Sequence, residues 1–320
     1  MVNSLTLVVL AVFIFLSTPE SKAQQDFLNG FYMFNPVGFN PAIAGVNDQI
    51  VISGIVREQW TGINGAPNTQ YVSAHMPVYS WFDRYDRPGT RDYPTGISTG
   101  LLFLNDEIGT TQYSRVSVPL STRVRLTRSG IRLSLGMRVD GSMFTNNIDG
   151  ARANEVESSD VLYLNEAKYF LDFSTGIYAY HTQWYVGFSM TNMRGVDMEE
   201  YGYKFEPHYI GSAGFAQPIN ENLVARITTL AIGVPGSTVS ITATPAVIIN
   251  NNIETGFSYR YDDMLGAFFS FKPLDNLKVG YWYEYPLGMK ANEIGATHEL
   301  VLQLTFEKFK KRVISPRYFW

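Results

Sequence analysis

From about residue 49 to residue 306 the chain keeps a two-residue rhythm, in which apolar and polar side chains alternate along one segment after another. A strand points successive side chains to opposite faces, so each such segment has one apolar and one polar surface. Over 131–140, Ile131, Leu133, Leu135, Met137 and Val139 alternate with Arg132, Ser134, Gly136, Arg138 and Asp140. The same holds for Ile253, Thr255, Phe257, Tyr259 and Tyr261 against Glu254, Gly256, Ser258 and Arg260. It holds again for Leu277, Val279, Tyr281, Tyr283 and Tyr285 against Lys278, Gly280, Trp282 and Glu284. Strands of this kind, repeated along a chain, describe an all-β transmembrane barrel with its apolar rows toward lipid and its polar rows toward the lumen.

The spacing predicts strands near 49–60, 68–79, 95–106, 111–126, 131–142, 169–180 and 183–193. Seven more are predicted near 206–217, 221–231, 237–249, 252–262, 264–272, 276–285 and 296–306. Fourteen antiparallel strands is an even number, as single-chain bacterial barrels have. With both termini periplasmic, the inner connections are 127–130, 181–182, 218–220, 250–251 and 273–275. The outer ones include 142–168, 192–205 and 286–295, all longer. The connection 80–94 breaks this rule: it falls on the inner side, yet is long and charged, so it is either a functional inner loop or a sign of a shifted early register. A soluble β-sandwich or soluble barrel also alternates, but would turn its apolar face inward and cap it.

The N-terminus supports export. An apolar run over 5–16 is followed by the small-residue pattern Ser21-Lys22-Ala23, which reads as a signal peptide over 1–23 cleaved after Ala23. The run has no Lys or Arg before it, which leaves an uncleaved anchor as the alternative, but it is shorter than the roughly 20 residues a spanning helix needs. The 20 Tyr, 21 Phe and 5 Trp suit interfacial girdles. The absence of cysteine excludes a disulfide framework and a thiolate metal site. A formal net charge of −4 does not point to nucleic acid. The partner that the strands do imply is the lipid bilayer.

Four regions carry more than barrel pattern. Residues 24–48 form an N-terminal strap, periplasmic or lumenal, containing Phe31-Tyr32-Met33-Phe34-Asn35-Pro36 and Asn40-Pro41-Ala42-Ile43-Ala44-Gly45. Its two Asn-Pro steps favour turns and forbid helix through them. Such a strap plugs the lumen, presents a docking surface or closes the periplasmic mouth. In Arg57-Glu58-Gln59-Trp60-Thr61-Gly62-Ile63-Asn64-Gly65-Ala66-Pro67, the glycines and Pro67 set a tight loop, with Trp60 either in the girdle or against a partner. Asn105-Asp106-Glu107-Ile108-Gly109 reads as a hairpin loop. After the barrel, 49–306, comes a basic and aromatic tail, 307–320, ending Ser315-Pro316-Arg317-Tyr318-Phe319-Trp320. It is a solvated end or a docking element, since Arg and aromatics are enriched in binding hot spots.

On these four stretches the chain resembles the PorP/SprF family of outer-membrane proteins associated with type IX secretion and gliding in Bacteroidetes. Two positions depart from the pattern, Phe31 where a polar residue is expected and Trp320 beyond the usual last aromatic. The resemblance implies no enzymatic activity and no cofactor. It implies instead a role in binding periplasmic ring or motor proteins and the exported adhesin or its C-terminal sorting domain. Tyr32, Asn35, Asn40, Pro41, Arg57, Trp60, Pro67, Arg317, Tyr318 and Phe319 are the candidate partner-binding residues.

A lumen arginine patch of Arg115, Arg123, Arg125, Arg132 and Arg138 supports two further readings. In a passive diffusion porin or solute transporter it favours anions. In a filled barrel it pairs with acidic groups of the strap, strands or loops. For a hydrolase, His75, His181, His208 and His298 lie on separate strands or turns, without an accompanying nucleophile motif.

Overall fold

The computed structural model describes residues 32–78, 96–127, 130–146, 167–198, 203–261, 263–287, 294–307 and 319. The leader reading, the 80–94 connection, Arg317, Tyr318 and Trp320 lie outside them. Seven strands lead from the N-terminus, β1 (Gln49–Glu58), β2 (Asn68–Val78), β3 (Gly96–Ile108), β4 (Thr111–Arg125), β5 (Arg132–Asn146), β6 (Lys168–Tyr180) and β7 (Trp184–Thr191). A small hairpin, β8 (Val196–Met198) and β9 (Tyr203–Phe205), stands apart from the wall. The wall resumes with β10 (His208–Asn220), β11 (Leu223–Gly233), β12 (Ser240–Ile249), β13 (Ile253–Arg260), β14 (Met264–Leu274), β15 (Leu277–Pro286) and β16 (Thr297–Glu307).

The fourteen wall strands form a closed antiparallel barrel in which β7 pairs β10 and β16 pairs β1. Closure runs from Gln49↔Glu307 to Glu58↔His298, so both edges of the sheet are satisfied. That satisfaction is what a bilayer demands, since lipid offers no hydrogen bonds. The apolar rows read from sequence face outward: Leu135, Met137 and Val139 on β5, Phe257 and Tyr259 on β13, Tyr281, Tyr283 and Tyr285 on β15, and Leu300, Leu302 and Phe306 on β16 are all exposed on the wall. The polar rows between them face inward and are buried. Among the described residues no helix is long and apolar enough to cross a membrane.

One end of the barrel carries short connections, 181–183, 221–222, 250–252 and 275–276, together with the start of β1 and the end of β16. We call it the turn end and the opposite one the loop end. At 250–252 the turn places Asn250 at φ 51° and Asn251 at φ 54°, the left-handed region that Asn tolerates and tight hairpins require. The two register shifts in the wall fall at Pro218 on β10 and around Pro273 on β14, because proline has no N–H to give the ladder.

Three expectations are corrected. Outer connections are not all long, for 109–110 and 261–263 are as tight as the turns. The hairpin loop read over 105–109 is shorter than expected: Asn105 and Asp106, inside the strand expected over 95–106, pair with Ser114 and Tyr113 in β3, and the chain reverses at Gly109 with φ 60°. The segment expected as one long loop after β7 contains the β8–β9 hairpin, three residues per strand and too short for an alternation pattern to register.

Candidate functional site

Residues 32–48 lie inside the barrel. Two 3-10 turns, Pro36–Gly38 and Pro41–Ile43, follow Asn35 and Asn40, the two Asn-Pro steps of the sequence. Proline fits the first position of a helical turn, where an N–H would lack a partner anyway. Asn40 caps the second turn by accepting from the Ala42 N–H at 2.9 Å. Its side-chain amide donates outward to the backbone carbonyls of Ile177 on β6 at 3.1 Å and Phe188 on β7 at 3.4 Å. One residue therefore shapes the strap and fastens it to the wall.

So irregular a backbone leaves carbonyls without ladder partners, and a buried unpaired group costs roughly 1–3 kcal/mol. The wall supplies the donors. Gln303 donates to Phe34 O at 3.0 Å, Arg138 to Gly38 O at 2.6 Å, Ser189 to Phe39 O at 2.7 Å and Ser121 to Ala44 O at 2.8 Å. Arg123 donates to Gly45 O, and the Gly45 N–H donates to His75 Nδ1 at 3.1 Å. Ser73 donates to Asn35 Oδ1 at 3.0 Å. Tyr32 reaches Thr228 at 2.8 Å and Thr244 at 3.2 Å. These contacts come from β2, β4, β5, β6, β7, β11, β12 and β16, so the strap is tied to the wall on many sides.

Apolar packing completes the plug. Tyr32, Met33, Phe34, Val37, Phe39 and Ala44 share one buried cluster with inward side chains of the wall, among them Ile55, Leu102, Leu230, Phe268 and Trp282. Phe34 meets Phe268 edge-on at 6.2 Å, and the Lys278 ammonium lies 4.3 Å from its ring centroid. At the loop end Phe205 of the β8–β9 hairpin packs against Tyr113 and Phe170, each at 5.2 Å, and against Phe144 at 6.1 Å.

Three wall glycines make room for the strap. Gly136 on β5, Gly176 on β6 and Gly187 on β7 face inward, and a Cβ at Gly136 would overlap the backbone of Ala42. One at Gly176 would overlap the Asn40 side chain, lying 2.9 Å from its Cγ. Gly176→Val is therefore expected to push the strap off β6, at an overpacking cost of about 1–3 kcal/mol. A cysteine at Val37, fully buried in this structure, should resist maleimide in the otherwise native chain and react in the Gly176→Val background. Equal protection in both would show that the glycine is not what seats the strap.

The arginines do not form one patch. Arg123 pairs with Asp48, the last strap residue, and Arg132 lies 3.9 Å from the same carboxylate. Arg138 pairs with Asp140 at 2.7 Å and donates to Ser174 at 3.1 Å. Arg115, eight positions along β4 from Arg123 and so about 26 Å away, donates to Tyr113 OH at 2.6 Å and Asn192 at 3.1 Å. Arg125 is exposed at the turn end and donates to Thr127 O at 2.9 Å. Of the two readings, pairing with the strap and neighbouring strands is the one the geometry shows for Arg123, Arg132 and Arg138.

Arg57, buried at the loop end, holds two carboxylates, Glu284 at 3.2 Å and Glu299, and donates to Gln59 at 3.2 Å. Arg260 lies 3.7 Å from Glu284 and 2.9 Å from Asp263. Nearer the turn end, Glu254 is shared by Arg226 and Lys278, the latter at 2.8 Å. Sequence pattern does not reveal these sets, because the Arg57 set spans the β1–β16 closure and the Glu254 set spans the alternate strands β11, β13 and β15.

Of the candidate partner-binding residues, Tyr32, Asn35, Asn40, Pro41, Arg57, Pro67 and Phe319 are buried in this structure. Trp60 is half-buried at φ 51°, and the loop after it, 61–65, is exposed. The histidines do not share a site. His75 bonds the strap, His181 lies in a turn, His208 opens β10 beside Asn192, and His298 on β16 meets Tyr281 OH at 2.6 Å. Among the described residues no group of three or more His, Cys, Asp or Glu is placed to hold a metal ion.

Comparison with known proteins adds identity. Among solved structures, the chain is similar to the outer membrane protein Omp33 of Acinetobacter baumannii, with 10% identity, a TM-score of 0.47, and 82% of this chain and 100% of that one covered. It is also similar to the toluene transporter TbuX of Ralstonia pickettii, with 10% identity, a TM-score of 0.43, and 87% and 94% covered. No curated protein matches. The model of one family matches residues 21–304, nearly all of the barrel and the whole strap. An outer-membrane barrel on that match is a membrane component of type IX secretion, and the chain belongs to the family described as type IX secretion system membrane protein PorP/SprF.

Proposed function

We propose that this barrel is a plugged scaffold of the type IX secretion and gliding machinery. In this reading it binds periplasmic ring or motor proteins and the exported adhesin or its C-terminal sorting domain, without passing solutes and without catalysing a reaction. The observation that carries the reading is the strap: its side chains are buried in the lumen and its carbonyls are taken up by wall donors on many strands. Material filling the lumen this way leaves the rims and their connections as the surfaces through which the protein acts.

Both termini lie on the periplasmic side in this proposal, which directs the turn end toward periplasmic partners. The exposed loop 61–65, rimmed by Trp60, then faces the exterior. Affinity purification of the tagged protein from its native outer membrane in mild detergent tests the reading. Co-purification of secretion-apparatus subunits or a large surface adhesin is the expected result. Recovery of the barrel alone, from membranes expressing that apparatus, would count against it and leave the porin reading to be tested by conductance.

A further inference from the structure

The other end of the chain also enters the lumen. Phe319 is buried at the turn end, its ring edge-on to Tyr185 at 4.9 Å and 89°. Tyr178 stands between Tyr180 at 5.4 Å and Tyr185 at 5.3 Å, so three tyrosines of β6 and β7 form one wall of the socket. Ala42, Ile43 and Val46 of the strap belong to the same cluster, as does Ala216 on β10. The floor is Gly214, where a Cβ would come 2.8 Å from the Phe319 ring and closer still to Tyr185. A side chain at that position would occupy the ring's place, which is a reason for glycine there independent of backbone conformation.

We propose that this socket is a binding site for the aromatic side chain of a peptide's C-terminal end, and that its occupant is this chain's own Phe319. Tyrosines give an aromatic guest edge-to-face partners, and small residues give it depth. The ring touches a cluster that also contains the strap, so it clamps the strap against β6, β7 and β10.

The chain has no cysteine, so Ala216→Cys provides a single reporter thiol in the cluster that holds the ring. In the purified folded barrel that thiol should react slowly with a maleimide. It should react about tenfold faster or more when Phe319→Ala is added, or when the chain ends at Glu307, in line with the loss of a buried Phe contact. A synthetic peptide of residues 308–320 added to the truncated barrel should restore protection, and the same peptide carrying Phe319→Ala should not. Retention of the heat-dependent electrophoretic shift identifies variants whose barrel is intact. Val224→Cys, at the border of the same cluster, is the second reporter should Ala216→Cys disturb folding. Labelling rates unaffected by Phe319 at either reporter, or equal protection by both peptides, would overturn the proposal.

Discussion

Arg57→Met is expected to lower the stability of the folded barrel by about 3–5 kcal/mol, the cost of leaving a buried charge without its partner. Arg57 is 2% exposed, as are Glu284 and Glu299, the two carboxylates it holds. Removing the guanidinium takes the Arg57 ion pair from both Glu299 and Glu284, the latter keeping Arg260 at 3.7 Å. The midpoint of urea unfolding in lipid vesicles measures the effect. The triple replacement Arg57→Met, Glu284→Leu and Glu299→Leu should recover most of the loss, because well-packed apolar groups of similar volume often substitute for a buried ion pair or triad, and Arg260 keeps Asp263 at 2.9 Å. A loss under about 1 kcal/mol for Arg57→Met would place the residue in the class of exposed pairs, in conflict with its position in the lumen. Arg57 sits in the stretch by which the family is recognised, and the structure gives that residue an internal task.

Deletion of residues 32–48 is expected to turn a barrel that shows no resolvable conductance in planar bilayers into one that conducts in stable steps. The wall does not depend on the strap for its hydrogen bonds, since β1 keeps its full pairing with β16 and β2. What is lost is the material that fills the lumen, and a fourteen-stranded wall encloses more space than its own side chains fill. Arg123 and Arg132 lose Asp48, and Arg138 loses Gly38 O. The opened lumen should therefore favour anions. Reversal potentials across a salt gradient give the selectivity, and the heat-dependent electrophoretic shift verifies that the deleted chain still forms a barrel. Steady conductance of the intact protein at the level of the deleted one would show that the strap does not close the lumen, and would return the porin reading to the front.

Expectation and structure part company for local reasons. Strand limits were legible to within a few residues, because alternation is a property of each strand alone and lipid imposes one face on all of them. Two tight loop-end connections and the β8–β9 hairpin were missed, since length rules for outer loops are tendencies and three-residue strands hold too little alternation to count. Asn105 reads as a turn residue by type, yet it lies in β3, where it accepts from Gln112 at 3.0 Å and Ser114 at 2.8 Å across the hairpin. Its polar side chain finds partners on the neighbouring strand and has no need of a turn.

For the candidate site, residue type was legible and destination was not. Tyr32, Asn35, Asn40, Arg57 and Phe319 are polar or aromatic residues of the kind enriched in binding hot spots, and they do bind, but to the inside of their own barrel. The barrel, its strand count, its lipid-facing rows and the turn chemistry of the strap are readable from residue order, because periodicity and proline act within a few residues. The folded barrel alone reveals that the strap and Phe319 enter the lumen, that Gly136, Gly176 and Gly187 form the strap's seat, and that Arg57 answers to Glu284 and Glu299, 227 and 242 residues away. Those contacts exist only once the sheet closes, since closure sets β1 beside β16 and gathers inward side chains from distant strands around a single interior.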